Sequence, residues 1–226
     1  MASEVDICNL ALAHLGDDAT VASINPPEGS AQAEYCQRFY PMARDQLLEM
    51  HNWNFASKRA LLPSVTNTIN QWQYAYAIPA DMMKAVAVLP PDAANDYSTH
   101  QSSAEGLMGA NSYNPGIVAG TYVPQPYALE TDANGNFVLF TNVQAALLRY
   151  QAKVVDPSKF SPLFTLTLSW GLAGMLAGPV IKGDAGQAEA KRCNQIMGAY
   201  LVQAASSDAN QRNIKPEHIV SWMAGR

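Results

Sequence analysis

The sequence predicts an α+β protein: a bundle of about four helices, a small antiparallel β region inserted between the second and third, a long loop insertion within that region, and an extended C-terminal tail. Apolar residues recur at steps of three and four over about 3–16, 30–51 and 185–206, which is the helical period, and 162–181 is an uncharged run opened by a helix cap. Between about 72 and 155 the period shifts to two, and Asp132-Ala133-Asn134-Gly135 separates two alternating runs as a hairpin turn does. Gly, Ser, Asn, Ala and Pro dominate 90–125, a composition that builds no core of its own.

A chain of 226 residues is long enough for one compact body with a real core, and that body is expected over 1–206. The net charge of -5 and pI near 5.3 argue against a grip on nucleic acid, which needs a basic patch or stripe. The three cysteines, Cys8, Cys36 and Cys193, show no C-x-x-C spacing and each sits in an apolar helical pattern, so they read as reduced core residues. Glu4 and Asp6 stand where a secretory signal is basic, and secretion is not expected.

Ser3 and Asp6 have the spacing of a capping box, and Ile7, Leu10, Ala11 and His14 follow at helical spacing until Gly16. Cys8, Leu12 and Leu15 give this helix a second apolar face, leaving Asp6, Asn9 and Ala13 to solvent. Asn25-Pro26-Pro27 forces an extended loop that Val21 and Ile24 anchor. In the next helix Ala33, Cys36, Tyr40, Ala43, Leu47 and Met50 share one face behind the N-cap Ser30. Cys36, Tyr40 and Leu47 are therefore assigned to the core. Pro41 leaves the carbonyl of Gln37 without its helical partner and is expected to bend the helix. At the end of the helix, Trp53 and Phe55 are expected to plug the core while Asn54 ties down the turn.

From 58 to 70 a proline and a run of Ser, Thr and Asn read as a surface connection. Trp72, Tyr74, Tyr76 and Ile78 alternate as one face of a half-buried strand, Pro79-Ala80-Asp81 turns the chain, and 83–89 offers a second strand, antiparallel to the first if the connection is a tight turn. Past the insertion, 126–131 and 136–141 form a hairpin whose Asn-Gly pair supplies positive φ angles. The spacing of Asp132, Asn134 and Asn136 resembles the start of a calcium loop, but the glycine is misplaced and no glutamate closes it. No metal is expected there. Leu147, Tyr150 and Val154 mark a third strand within 145–155.

Ser161-Pro162 is a cap followed by a first-turn proline. No residue from 163 to 181 is charged, so the segment has the length of a membrane span. Its Thr165, Thr167, Ser169, Pro179 and the glycines at 171, 174 and 178 argue for a buried helix that another helix approaches closely, with Trp170 in the core. Gly183 ends that segment, Asp184 with Gln187 gives a second capping box, and Ala190, Cys193, Met197, Tyr200 and Ala204 form the last stripe. Met197 and Tyr200 are its core residues. The tail, 207–226, begins polar and then presents Ile214, Ile219, Val220, Trp222 and Met223, more apolar surface than a short segment buries against itself. By the same reasoning Leu107, Met108, Tyr113, Ile117 and Tyr122 are anchors of the insertion for a partner.

An enzyme needs a constellation, and none is visible. His14 and His51 lie in or beside apolar stripes, His100 in the insertion and His218 in the tail. No histidine pair has metal-ligand spacing, and the nucleophile-elbow, P-loop and dinucleotide patterns are missing. Asp17-Asp18 suits a solvated turn better than an acid–base pair.

Several segments, taken in order, carry a resemblance. They are Ile7-Cys8-Asn9-Leu10-Ala11-Leu12-Ala13-His14-Leu15-Gly16, Tyr40-Pro41-Met42-Ala43-Arg44, Trp53-Asn54-Phe55-Ala56, Tyr76-Ala77-Ile78-Pro79-Ala80-Asp81, the Tyr150 strand ending in Asp156-Pro157, and the helix from Phe164 to Ala177. Together they resemble the head-to-tail adaptor, or tail tubular protein A, family of short-tailed bacteriophages over most of residues 3–206. The resemblance implies a structural virion protein and not an enzyme, assembled in the host cytoplasm, with no cofactor and no membrane span. It implies a dodecameric ring set between the portal protein and a tail nozzle resembling tail tubular protein B. DNA would pass through the central channel during ejection without sequence-specific binding. Ile214, Ile219, Val220, Trp222 and Met223 would then dock on the portal or a neighbouring subunit, and the insertion anchors on the nozzle or a neighbour. Two competing readings are a cell-wall-degrading tail hydrolase using two carboxylates distant in sequence and a soluble helical binding module unrelated to virions.

Overall fold

The computed structural model describes residues 2–91, 125–132 and 134–211. The fold is α+β, with four α-helices and two small antiparallel sheets among these residues. The body expected over 1–206 divides into two compact units, a helical one of Met1–Ala56 with Lys153–Arg212 and a β unit within Ser57–Ala152. The insertion anchors Leu107, Met108, Tyr113, Ile117 and Tyr122 and the tail residues Ile214, Ile219, Val220, Trp222 and Met223 lie outside the described residues.

Helix α1 (Glu4–His14) begins with the expected capping box. Ser3 Oγ accepts from the Asp6 amide at 3.1 Å and the Asp6 carboxylate accepts from the Ser3 amide at 2.8 Å, which satisfies two amides at the helix start. Ile7, Cys8, Ala11 and Leu12 are buried, but Leu10, assigned to the apolar face, is exposed. The two apolar faces merge into one stripe, and Leu10 falls past its edge. Helix α2 (Ala31–Met50) starts from Ser30, whose Oγ accepts from the Ala33 amide at 3.2 Å, and it runs through Pro41 without ending. Ala33, Cys36, Tyr40, Ala43 and Leu47 are buried, whereas Met50 is 45% exposed. Val21 and Ile24 are buried as the loop's anchors.

Helix α3 (Pro162–Ile181) is the centre of this unit: α1, α2 and the last helix, α4 (Gly183–Ala209), all pack on it, while α1 and α2 scarcely touch each other. By length and composition α3 is able to cross a membrane, yet Phe164, Leu168, Leu172 and Leu176 are buried within the unit. Its glycines let α4 come close. A Cβ on Gly171 would stand 3.5 Å from Met197 Cγ, and one on Gly174 would stand 2.7 Å from Asn194 Oδ1. Gly178 faces nothing within 4 Å, and Gly186 on α4 completes the contact instead, where a Cβ would meet the Ala177 carbonyl oxygen at 2.9 Å. The expected capping box at Asp184 and Gln187 does not form. Because α4 starts at Gly183, Asp184 falls inside the first turn and no side chain caps the helix; its carboxylate lies instead at the positive end of the helix dipole.

In the β unit, β1 (Ser57–Leu61), β4 (Met82–Leu89) and β7 (Leu147–Ala152) form one sheet in the order β1-β7-β4. β2 (Ser64–Val65), β3 (Tyr74–Ala77), β5 (Tyr127–Thr131) and β6 (Phe137–Thr141) form the other, in the order β2-β3-β6-β5. Tyr76 and Leu139 of the second sheet share a core with Val88, Leu148 and Tyr150 of the first, as the inner faces of a sandwich do. On the far face of the second sheet, Ala75, Val138 and Phe140 pack against Ile69 and Trp72.

Three expectations need correction. The supposed connection at 58–70 contains β1 and β2, short edge strands whose Lys58, Arg59 and Ser64 carry no apolar alternation to betray them. β3 and β4 do not pair: β3 lies against β2 and β6, and β4 against β7. The Pro79 turn, closed by the Met82 amide donating to the Pro79 carbonyl at 3.0 Å, sends the chain from one sheet to the other. Trp72, expected to share a face with Tyr76, packs on the opposite side because β3 begins only at Tyr74.

The hairpin pairs Tyr127 with Thr141 through to Thr131 with Phe137. Of its Asn-Gly pair only Gly135 has a positive φ, 83°. The Gly135 amide donates to Asp132 at 3.0 Å and the Asp132 amide to Asn136 at 2.8 Å, which makes a loop with a glycine bulge in place of the tighter turn. Asp132 Oδ1 accepts from the amides of Asn134 at 2.9 Å and Asn136 at 2.8 Å, so the calcium-like spacing serves the turn.

The glycine contacts separate two substitutions on α4. Gly186→Ala drives a Cβ into backbone and is expected to cost about 1–3 kcal/mol. Gly198→Ala, with nothing within 4 Å, should gain about 0.5–1 kcal/mol from helix propensity. Chemical denaturation of both variants beside the wild type checks the pair.

Candidate functional site

The helix-to-sheet corner holds the largest buried side chain of the unit. Trp53 is fully buried, its Nε1 donates to the Leu47 carbonyl at 2.9 Å, and its ring stands edge-on to Phe164 at 4.9 Å. Phe55, half-buried, meets Phe164 at 5.0 Å and Phe160 at 5.8 Å. This is the expected plug. Asn54 has a partner that the sequence did not reveal. The Asp208 carboxylate accepts from the Asn54 amide at 3.0 and 3.2 Å, and Asn54 Nδ2 donates to the Asp208 carbonyl at 2.6 Å. His51 Nε2 lies 3.5 Å from the same carboxylate. Asp208 was assigned to the polar start of the tail, yet α4 continues to Ala209 and Asp208 is only 6% exposed. The available signal was its position four residues beyond Ala204, on the stripe.

A second cluster joins α1, α3 and α4. His14 stacks on Trp170 with centroids 3.7 Å apart and planes 7° apart, and the Arg192 guanidinium lies over the Trp170 ring at 5.4 Å. Arg192 is fixed by Glu189, whose carboxylate accepts from Nε at 2.8 and 2.9 Å. His14 Nε2 is 3.0 Å from Ser169 Oγ, which invites comparison with a nucleophile and its base. The geometry excludes that role. Ser169 Oγ donates its own proton to the Leu166 carbonyl at 2.8 Å and the residue is fully buried, so the imidazole N–H donates to Ser169. Burial, and next the Arg192 charge, hold the His14 pKa below its ordinary value. His14 ties α1 to α3.

In the β unit, the Asp81 carboxylate accepts from the Tyr150 hydroxyl at 3.0 Å and from Lys58 Nζ at 2.6 Å. Lys58 holds the Asp81 carboxyl below the usual range, while burial and then Asp81 push the Tyr150 phenol up to about 12. A phenol that keeps its proton so firmly is a strut at neutral pH.

One concavity is apolar. A shallow groove, open to solvent, runs between α2, α3 and α4, with Leu47, Met50, Leu168, Gly171 and Met197 among its walls. Of the residues assigned to the core, Cys36, Tyr40, Leu47 and Trp53 are buried, and Phe55, Trp170, Met197 and Tyr200 are half-buried. The half-exposed methionines were the missed sign of this groove. Among the described residues no group of His, Cys, Asp or Glu is arranged to hold a metal ion. No family model and no curated protein matches the chain.

Asp208→Ala removes the acceptor for the Asn54 amide and is expected to destabilise the protein by about 1.5–3 kcal/mol, with Asp208→Asn milder because one acceptor oxygen remains. Thermal unfolding of the two variants tests the order.

Proposed function

We propose that the protein is a head-to-tail adaptor of a short-tailed bacteriophage, a ring-forming structural part between portal and tail nozzle through whose channel DNA passes. The observation that carries this reading is the ordered set of segments from Ile7 to Ala177 that resembles that family. Their places in the fold support it: they supply α1, the Trp53 corner, the crossing from β3 to β4 and the central helix. The polar clusters of the described residues are engaged in structural ties, which suits an assembly part better than a hydrolase. An acidic chain also suits a channel that DNA must leave. On this reading α3 is the core of the helical unit and not a membrane span.

A chain ending at 211 keeps Asp208 and its corner, so it should melt like the wild type. It is expected to lose binding to the portal protein of the same phage, which native mass measurement reads directly. Full-length chain that never associates with the portal overturns the adaptor reading, and undiminished binding by the shortened chain removes the tail from it.

A further inference from the structure

Among the asparagines of this sequence, Asn134 is the one that glycine follows. The pair lies in the loop of the β5–β6 hairpin, where Asn134, Gly135 and Asn136 are all exposed. A Cβ on Gly135 would meet nothing within 4 Å, so the space beside the nitrogen that follows Asn134 is open, with no side chain of its own to crowd it. Other asparagines of the described residues are placed differently. Asn25 precedes Pro26, whose nitrogen carries no proton. The side chains of Asn9, Asn54, Asn67 and Asn142 are held by hydrogen bonds to Val21, Asp208, Trp72 and Gln73, and each of the four is followed by a bulky or branched residue.

We propose that Asn134 is a site of spontaneous deamidation and isomerisation, at which the Gly135 nitrogen closes a succinimide ring and water opens it to isoaspartate and aspartate, loosening the edge strand β5.

Hydroxide removes the Gly135 amide proton, and the nitrogen attacks Cγ of the Asn134 carboxamide, held beside it by the chain itself. The new N–C bond closes the ring, the Cγ–Nδ2 bond breaks, and Nδ2 leaves as ammonia after taking a proton from water, which restores the hydroxide. A water molecule then adds to one of the two ring carbonyls, and the bond from that carbonyl to the ring nitrogen breaks. Opening at the Asn134 backbone carbonyl gives isoaspartate, and opening at Cγ gives aspartate. One water is consumed, one ammonia is released, and nothing is oxidised or reduced.

The hairpin sets the pace. The Gly135 amide donates to the Asp132 carbonyl at 3.0 Å, and the Asp132 carboxylate accepts from the amides of Asn134 and Asn136. The Gly135 nitrogen reacts only while its own bond is open, and solvent-exposed loop bonds open far more readily than those of a core. The folded chain therefore reacts more slowly than the unfolded one, yet at this asparagine before those that the fold holds. Isoaspartate routes the backbone through the side chain and adds a carbon to the loop that brings Thr131 opposite Phe137. Loop length and turn geometry fix the register of a hairpin. A new carboxylate also stands near that of Asp132, and like charges repel. β5 is an edge of its sheet, held by β6, so the change falls on β5. None of this depends on the adaptor reading.

The test warms the full-length protein in mildly alkaline buffer, folded and in urea, and follows its peptides by mass. The peptide holding Asn134 is expected to gain the mass difference between an amide and an acid ahead of the other asparagines of the described residues, and faster in urea. It should also become a substrate for methylation by a protein isoaspartyl methyltransferase. Hydrogen exchange across 127–131 should rise in the aged wild type and stay level in aged Asn134→Gln, whose longer side chain closes a ring slowly. Asn134→Asp, which adds the charge without the extra carbon, should raise exchange less. Folded protein that stays unmodified at Asn134 through many half-lives of the urea-unfolded chain, or that reacts first at another described asparagine, overturns the site. Unchanged exchange in the isoaspartyl protein overturns the loosening of β5. The wild-type mass result stands even if a variant fails to fold.

Discussion

A helix of twenty residues without a single charge cannot face water on every side, and the helical unit is the solution to that constraint. α3 presents Phe164, Leu168, Leu172 and Leu176 one turn apart, all fully buried, each worth about 1.5–3 kcal/mol relative to exposure. The three partner helices need supply only one apolar face apiece. This explains why α1, α2 and α4 are striped and α3 is not, and why α1 and α2 meet α3 without much contact between themselves. Close approach of backbone on the α4 side requires a residue without a side chain at Gly186, where a Cβ would meet the Ala177 carbonyl oxygen.

The Trp53 corner is the second constraint, and it combines burial with a polar lock. Trp53 fills the end of the bundle and has its one donor satisfied by Leu47, so its burial carries no orphan group. Asp208 is a different case. A carboxylate this buried is costly unless its lone pairs are met, and the Asn54 amide meets them. The last turn of α4 is thereby fixed to the residue that ends the α2 corner, and the chain beyond 209 leaves from a defined point.

The helical faces were legible because burial against one partner repeats every 3.6 residues, and Cys36, Tyr40 and Leu47 stand where that period puts them. What escaped was non-local. β1 and β2 are polar edge strands whose neighbours, β7 and β3, are fixed by tertiary pairing. β3 and β4 looked like a hairpin because nothing in Pro79-Ala80-Asp81 says which sheet comes next. Asp208 looked like the start of a tail because a carboxylate on an apolar stripe makes sense only once Asn54 is seen beside it. The anchors named in the insertion and tail lie outside the described residues, so the legible part is the scaffold.

What the scaffold offers is decided by which groups remain uncommitted. In the described helical unit, the Ser169 proton is spent on Leu166 and the His14 N–H on Ser169; in the β unit the Tyr150 proton is spent on Asp81. The apolar residues left at the surface are of another kind: Met42 and Met50 on α2 and Val202 on α4 are 57%, 45% and 70% exposed. Flexible thioethers beside a shallow groove adapt to the contours of a protein partner better than they orient a small molecule. The described scaffold thus spends these three groups on its own ties, while side chains of α2 and α4 leave apolar surface open to solvent.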